Sequence, residues 1–230
     1  VSLALELEDV SVSFPGGVEA LHSVGLRLHE GRRLALLGLN GSGKTTLLMA
    51  AAGLVPHTGT IHVAGQRLTS ASASQCRRRL GFVFAVPEDQ LLFPKVLEDV
   101  AFSLVARGLA PQEAKRRAAR ALEQLDALPL AERSPHELSH GERVRVALAG
   151  AIVTEPALLL LDEPAAGLDP PTKRRLAKLL CSLDAAMLIA THDLDFARCC
   201  CQGYVLLDRG VVRRQLETLD ALDALWAEEP

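Results

Sequence analysis

The clearest chemistry in the chain lies in one run, Gly38-Leu39-Asn40-Gly41-Ser42-Gly43-Lys44-Thr45, which fits the pattern G-x-x-x-x-G-K-[ST]. Glycines at these places let successive backbone N–H groups turn inward around a phosphate, and a helix starting at the end of the loop adds its positive dipole end. Lys44 can reach β- and γ-phosphates, and the Thr45 hydroxyl can hold Mg²⁺. Gly38, Asn40, Gly41, Ser42, Gly43, Lys44, Thr45 and Thr46 are therefore the candidate nucleotide contacts. A glycine-rich turn can match such a pattern by chance. Here the apolar run Arg33–Leu37 precedes it and the helix formers Thr46–Ala52 follow it, which is the strand-loop-helix context the chemistry needs.

A second constellation is Leu158-Leu159-Leu160-Leu161-Asp162-Glu163, an apolar strand ending in two carboxylates. Alone it reads equally well as a strand end with two solvated acids. Beside a phosphate loop it completes a metal-nucleotide site, with Asp162 holding Mg²⁺ and Glu163 polarising an attacking water.

The elements that must position these groups follow from hydrophobic pattern. Short apolar runs at Arg33–Leu37, Gly81–Val86, Ala157–Leu161, Met187–Ala190 and Tyr204–Leu207 read as buried strands. Pro111–Leu128 reads as a helix, with Ala114, Ala118, Ala121, Leu122, Leu125 and Leu128 on one face opposite Lys115, Arg116, Arg117 and Arg120. Strands alternating with helices imply a parallel α/β sheet. The opening stretch Leu3–Leu28 alternates apolar and polar residues around the turn Pro15-Gly16-Gly17, which predicts a small antiparallel sheet before the parallel core. The block 88–150 is helix-rich and interrupts the strand rhythm, as an inserted helical subdomain would. Leu216–Ala227 is a short acidic amphipathic stretch suited to packing on the core.

Composition bounds the remaining choices. At 230 residues and 24.6 kDa the chain is expected to form a single domain over 1–230. Hydrophobic residues at 49% and charged residues at 23% disfavour disorder and coiled coil. A formal charge of -3 gives no basic footprint for nucleic acid. Cys76, Cys181, Cys199, Cys200 and Cys201 are an odd set that suits no disulfide framework and points to a reducing, cytosolic compartment. The stretch Thr45–Gln66 lacks charge, but Pro56, His57, Gly59, Thr60 and His62 interrupt it, so no membrane-spanning helix is expected there. Val1–Val10 carries Glu6, Glu8 and Asp9 and has none of the features of a signal peptide.

A third element, Leu138-Ser139-His140-Gly141-Glu142, stands before a helical stretch and upstream of the Asp162-Glu163 strand. Together with Gly38–Thr45 it resembles the ATP-binding subunit of ABC transporters, and the resemblance runs from about Leu5 to Val212. It extends to Ala166-Gly167-Leu168-Asp169 as the D-loop, with Asp169 its acid, and to Thr191-His192-Asp193 as the switch histidine. Phe14 falls where the family places an aromatic that stacks on adenine. The resemblance implies a P-loop NTPase (RecA-like) core with an N-terminal antiparallel β-subdomain and an inserted helical subdomain. It implies ATP and Mg²⁺ as ligands, Glu163 as general base and His192 as a γ-phosphate contact that helps orient Glu163. It also implies a dimer, of identical or related ATPase protomers, in which Ser139, His140, Gly141 and Glu142 of one protomer face the nucleotide of the other. Transmembrane transporter subunits would be the partners, and the cytoplasmic face of the membrane the location.

Two departures stand out. The family's Q-loop glutamine normally follows the strand here reading Gly81-Phe82-Val83-Phe84, but that position is Ala85, which has no group for Mg²⁺ or water. Gln90, five residues on, is a candidate substitute. His140 and Glu142 replace a glycine and a glutamine common in the signature. The stretch Pro87–Phe93 followed by Val96–Phe102 is similar to the ATPases of energy-coupling factor importers for cobalt, nickel, biotin and other vitamins, cobalt being the cargo we expect. There Gln90 and Phe93 would meet the membrane subunit; otherwise this is an acidic helix start with core phenylalanines. Cys199-Cys200-Cys201 invites a metal reading, but on a helix these residues point about 100° apart and read better as small buried thiols. The competing class is a soluble ABC ATPase without a transmembrane partner. Against its DNA-maintenance members, Gly38 and Ser139 are only about a hundred residues apart, with no coiled coil between them.

Overall fold

The computed structural model describes residues 2–218. β1 (Leu3–Phe14) buries Leu5, Leu7, Val10 and Val12, and the turn at Phe14–Gly17 returns the chain antiparallel as β2 (Val18–His29). After β3 (Arg33–Leu37) the phosphate loop leads into α1 (Lys44–Ala51). β4 (Thr58–Val63) then pairs antiparallel with β1, and the short β5 (Gln66–Arg67) pairs with β4. The resulting sheet has the order β2-β1-β4-β5. The interruptions around Pro56 and Gly59 therefore separate a helix from a strand, and that strand is too short and polar to stand out in the hydrophobic pattern.

The chain continues through α2 (Ala73–Arg77), β6 (Leu80–Val83), α3 (Val96–Ala106), α4 (Pro111–Gln124) and α5 (His140–Ile152). β7 (Leu158–Asp162), α6 (Pro170–Ser182), β8 (Ala186–Thr191), α7 (Leu194–Cys200), β9 (Gly203–Asp208) and β10 (Val211–Leu216) complete the described elements. The second sheet has the order β10-β9-β3-β8-β7-β6, parallel throughout except for β10. Its strands are apolar on both faces because both faces are covered. Leu34, Leu36, Leu158, Leu160 and Leu188 point into a core shared with α1 and the antiparallel sheet. The alternate residues Ala35, Leu37, Leu159, Leu161 and Ile189 point into a second core shared with α3, α4, α5, α6 and α7.

Two boundaries differ from the sequence expectation for physical reasons. β6 stops at Val83 because the N–H of Phe84 turns to the Gln90 side chain, leaving Val86 outside the sheet and half exposed. α4 stops at Gln124: Asp126 takes φ 54, and the Ala127 N–H folds back onto the Leu122 carbonyl. Leu125 is still buried, but Leu128 opens a separate turn and is exposed. Leu216 closes β10, whereas Leu219, Leu222, Leu225 and Trp226 of the acidic stretch lie outside the described residues. Among the described residues no helix is long and apolar enough to cross a membrane.

Candidate functional site

The phosphate loop spans the gap between the C-terminal end of β3 and α1, at the centre of the parallel sheet, where ligands bind in α/β folds. Gly43 is the N-cap of α1 with φ 105, and a Cβ there would stand 2.8 Å from the Ala20 carbonyl oxygen. Only glycine fits that left-handed, crowded position. Lys44 begins the helix and is buried; its Nζ donates to the carbonyls of Gly38 (2.8 Å) and Leu39 (3.3 Å) and lies 3.5 Å from Oε1 of Glu163. The ammonium is satisfied by carbonyls of its own loop.

Parallel pairing of β7 with β8, and of β8 with β3, brings the carboxylates to the same end of the sheet. Thr45 Oγ1 donates to Oδ2 of Asp162 at 2.8 Å, while the other oxygen, Oδ1, is buried with no hydrogen-bond partner. Burial pushes the Asp162 carboxyl above its ordinary range, and the neighbouring Glu163 charge adds to this, against the Thr45 hydrogen bond and the Lys44 charge. A buried carboxylate with an orphaned oxygen beside a threonine hydroxyl suits a hard divalent cation such as Mg²⁺. Glu163 takes φ 46, and its N–H donates to the Ala190 carbonyl (2.9 Å). His192, just past β8, brings Nδ1 within 3.1 Å of the Glu163 carboxylate.

Asn40, Gly41, Gly43, Lys44, Thr45, Thr46, Asp162 and Glu163 line one cleft, together with Ala20 and Ala85. Ala85 thus stands in this cleft as a methyl group. Ser42 is buried behind the loop and Gly38 lies at its base; Phe14, at the end of β1 and 38% exposed, does not line the cleft. Ala20 carries no signal in the sequence, being a small half-buried residue in a strand that alternates buried and exposed positions.

Ser139, His140, Gly141 and Glu142 lie elsewhere. Ser139 is the N-cap of α5; its backbone N–H and its hydroxyl both donate to Oε2 of Glu142 (2.8 Å each), and its Oγ accepts from the Glu142 N–H. These hydrogen bonds hold the Glu142 carboxyl below its usual range. With Gly167, Leu168, Asp169 and Thr172 they line a second cleft that shares no residue with the first. Asp169 caps α6 through Thr172.

Gln90 does not turn toward the phosphate loop. Its amide accepts from the Phe84 N–H and donates to the Phe82 carbonyl, which pins the turn after β6. Phe93 stacks on Phe102 at 4.9 Å. Cys199 is exposed, a correction to the reading of three buried thiols; Cys200 and Cys201 are buried. The contact with Cys201, together with burial, pushes the Cys200 thiol far up. Among the described residues no group of three or more histidine, cysteine and acidic side chains is placed to hold a metal ion.

A family model described as "ABC transporter" matches residues 21–166, a span that runs from β2 to the turn after Glu163. The chain belongs to the ABC transporter family. Among curated ABC proteins, a putative ABC transporter ATP-binding protein of Streptomyces avermitilis is 43% identical over 91% of this chain and 80% of its own length. An energy-coupling factor transporter ATP-binding protein of Methanosphaera stadtmanae is 40% identical over 83% of this chain and 71% of its own length. Among solved structures, cbiO1 from Clostridium perfringens, described as part of the ABC transporter complex cbiONQ, aligns with a TM-score of 0.88 and 31% identity over 99% of this chain and 93% of its own. A dimeric ATP-binding cassette in a post-hydrolysis state bound to ADP and Pi aligns with a TM-score of 0.83 and 28% identity over 93% of this chain and 98% of its own. This ABC protein is accordingly an ATP-binding subunit with ATPase activity.

Proposed function

We propose that this chain powers an importer of the energy-coupling factor kind, hydrolysing ATP at sites shared between two ATPase protomers on the cytoplasmic face of a membrane. The observation that carries the shared site is the separation of the two clefts: the phosphate loop and the Ser139–Glu142 turn line clefts that have no residue in common. One protomer offers half of a nucleotide site in each cleft, and a second ATPase protomer, packed on the face that carries both, supplies the missing halves.

In this reading Lys44 leaves the Gly38 and Leu39 carbonyls for the β- and γ-phosphates, and the loop N–H groups hold the remaining oxygens. Thr45 and Asp162 hold Mg²⁺, which when bound neutralises phosphate charge. Glu163 accepts a proton from water as the water oxygen bonds to the γ-phosphorus. The bond from phosphorus to the bridging oxygen breaks, leaving ADP and inorganic phosphate. His192 orients Glu163 and contacts the γ-phosphate. Ser139 and the Gly141 N–H of the other protomer add donors at the γ-phosphate, so hydrolysis weakens the closed dimer. Ala85 offers no hydrogen bond to water or ion.

The importer assignment rests on the Pro87–Phe102 stretch and on the energy-coupling factor relatives at about 40% identity. The partner-facing side chains we favour there are the exposed Leu92 (78%) and Phe102 (52%), with Phe93 behind Phe102; Gln90 shapes the turn. The cargo, a metal ion such as cobalt or a vitamin, touches the membrane subunits.

Glu163→Gln tests the catalytic reading: ATP binding should persist while phosphate release falls at least about a hundredfold, and a variant with wild-type turnover removes Glu163 from its role. Co-purification from detergent-solubilised membranes tests the importer reading. A small multi-span subunit together with a substrate-binding membrane protein supports it, and recovery of soluble proteins alone favours a soluble ABC ATPase.

A further inference from the structure

His140 stands where the family resemblance places a glycine, and a glycine could make none of its side-chain contacts. From the first position of α5 its Nε2 lies 3.0 Å from the carbonyl oxygen of Ala166. A carbonyl only accepts, so this nitrogen carries the proton. Ala166 closes the turn that starts at Glu163, its N–H donating to the Glu163 carbonyl at 3.0 Å. On the other edge of the ring, Nδ1 lies 3.6 Å from Oε1 of Glu88, beyond hydrogen-bond reach and an ion pair when both ring nitrogens carry a proton. Glu88 sits in the turn just after Ala85, and the same oxygen accepts from Arg143 Nη1 at 2.6 Å. Arg143 also donates to the carbonyls of Pro135 and His136, which fixes Glu88 to the segment leading into Ser139. A carboxylate and an imidazole thus span from the turn after β6 to the backbone next to Glu163.

We propose that His140 is a positioning residue for hydrolysis: it joins the Glu88 turn and the helical block to the Ala166–Asp169 turn, and so sets the placement of Glu163. At position 85 the cleft has a methyl group and no polar side chain that could report the state of this turn to the nucleotide. The link through His140 runs behind the cleft instead, from Glu88 to the backbone that carries Glu163. This rests on the proposed roles of Glu163 and of the Ser139–Glu142 turn.

The test is steady-state ATP hydrolysis by the purified full chain for wild type, His140→Gly, His140→Gln, Glu88→Gln and the double variant His140→Gly with Glu88→Gln, each assayed well below its melting temperature. Loss of one positioning hydrogen bond predicts a fall in kcat of roughly five- to tenfold for His140→Gly, with KM for ATP within about twofold. His140→Gln, whose amide can donate to the Ala166 carbonyl, should restore most of that loss. Glu88→Gln should lower kcat less, and should add less in the His140→Gly background than it does alone, because the His140 contact is one of the two that Glu88 makes, the other being to Arg143. Wild-type kcat in His140→Gly, no recovery in His140→Gln, or additive losses in the double variant would each overturn the inference. Glu163→Gln in the same series separates the two levels. If it still turns over, the catalytic reading itself fails; if it is inactive while His140→Gly is unimpaired, only the positioning role fails.

Discussion

Glu163 is held by geometry that its own residue type disfavours. A φ of 46 is costly for a side chain with a Cβ, by about 1 kcal/mol or more, yet it lets the N–H reach Ala190 while the carboxylate meets His192 and Lys44. Strain of this kind at the end of a buried strand places a carboxylate in a cleft that an extended strand would bypass. Ala85 is the opposite case, a residue type that leaves a gap in the same cleft. Supplying one hydrogen-bonding side chain there is worth roughly a five- to tenfold gain in rate. Ala85→Gln should accordingly raise phosphate release at saturating ATP, and an unchanged or lower rate counts against the view that this position limits turnover.

Elements place these residues through close approach and capping. α5 lies on β6 so tightly that a Cβ on Gly81 would stand 2.5 Å from the Ala151 carbonyl oxygen and 2.8 Å from Leu159 Cδ2. Gly81→Ala should therefore cost about 1–3 kcal/mol in a urea melt, since backbone would have to move. α7 begins just after His192, with Asp193 as its N-cap accepting from the Phe196 N–H (2.9 Å) and pairing with Lys173. Burial pushes the Asp193 carboxyl up, but the Lys173 and Phe196 hydrogen bonds outweigh it and hold the group below the usual carboxylate range. A depressed folded value means the stabilisation is present above the unfolded carboxylate pKa and is lost as pH falls through the folded one. Asp193→Asn should then lower stability by about 1 kcal/mol at neutral pH and by progressively less in acid, read from urea midpoints across that range. A gap that stays constant down to the acid end would show that the charge of Asp193 contributes nothing.

At the scale of the whole molecule, the two clefts with no lining residue in common make a dimer prediction that needs no membrane partner. Lys44→Ala should abolish hydrolysis, and Ser139→Ala should lower it sharply. In a heterodimer of the two, one composite site is intact and the other carries both defects. Mixing the variants should recover roughly a quarter of wild-type activity if protomers exchange freely and sites act independently. No recovery on mixing, with exchange verified by differently tagged protomers, would place the Ser139 turn and the phosphate loop in the same chain's site.

Local pattern was enough for the phosphate loop, the Asp162-Glu163 strand end, the parallel core strands and the alternating first hairpin, because each is set by backbone conformation or by the burial of neighbours close in sequence. Gly43 is legible for that reason: a helix that starts at a phosphate loop demands a residue tolerant of φ 105. Tertiary structure decided what depends on residues far apart in the chain. The pairing of β4 with β1 fixes a strand whose six residues are too polar to declare themselves. Gln90 turns inward to two backbone groups of β6 and its exit, which no spacing rule foretells. His140 finds partners 52 residues before it and 26 after it only once α5 is docked. Sequence pattern reports which groups can do chemistry and what the nearby backbone needs; the contacts that orient them form between distant segments, and packing alone sets which side chains meet.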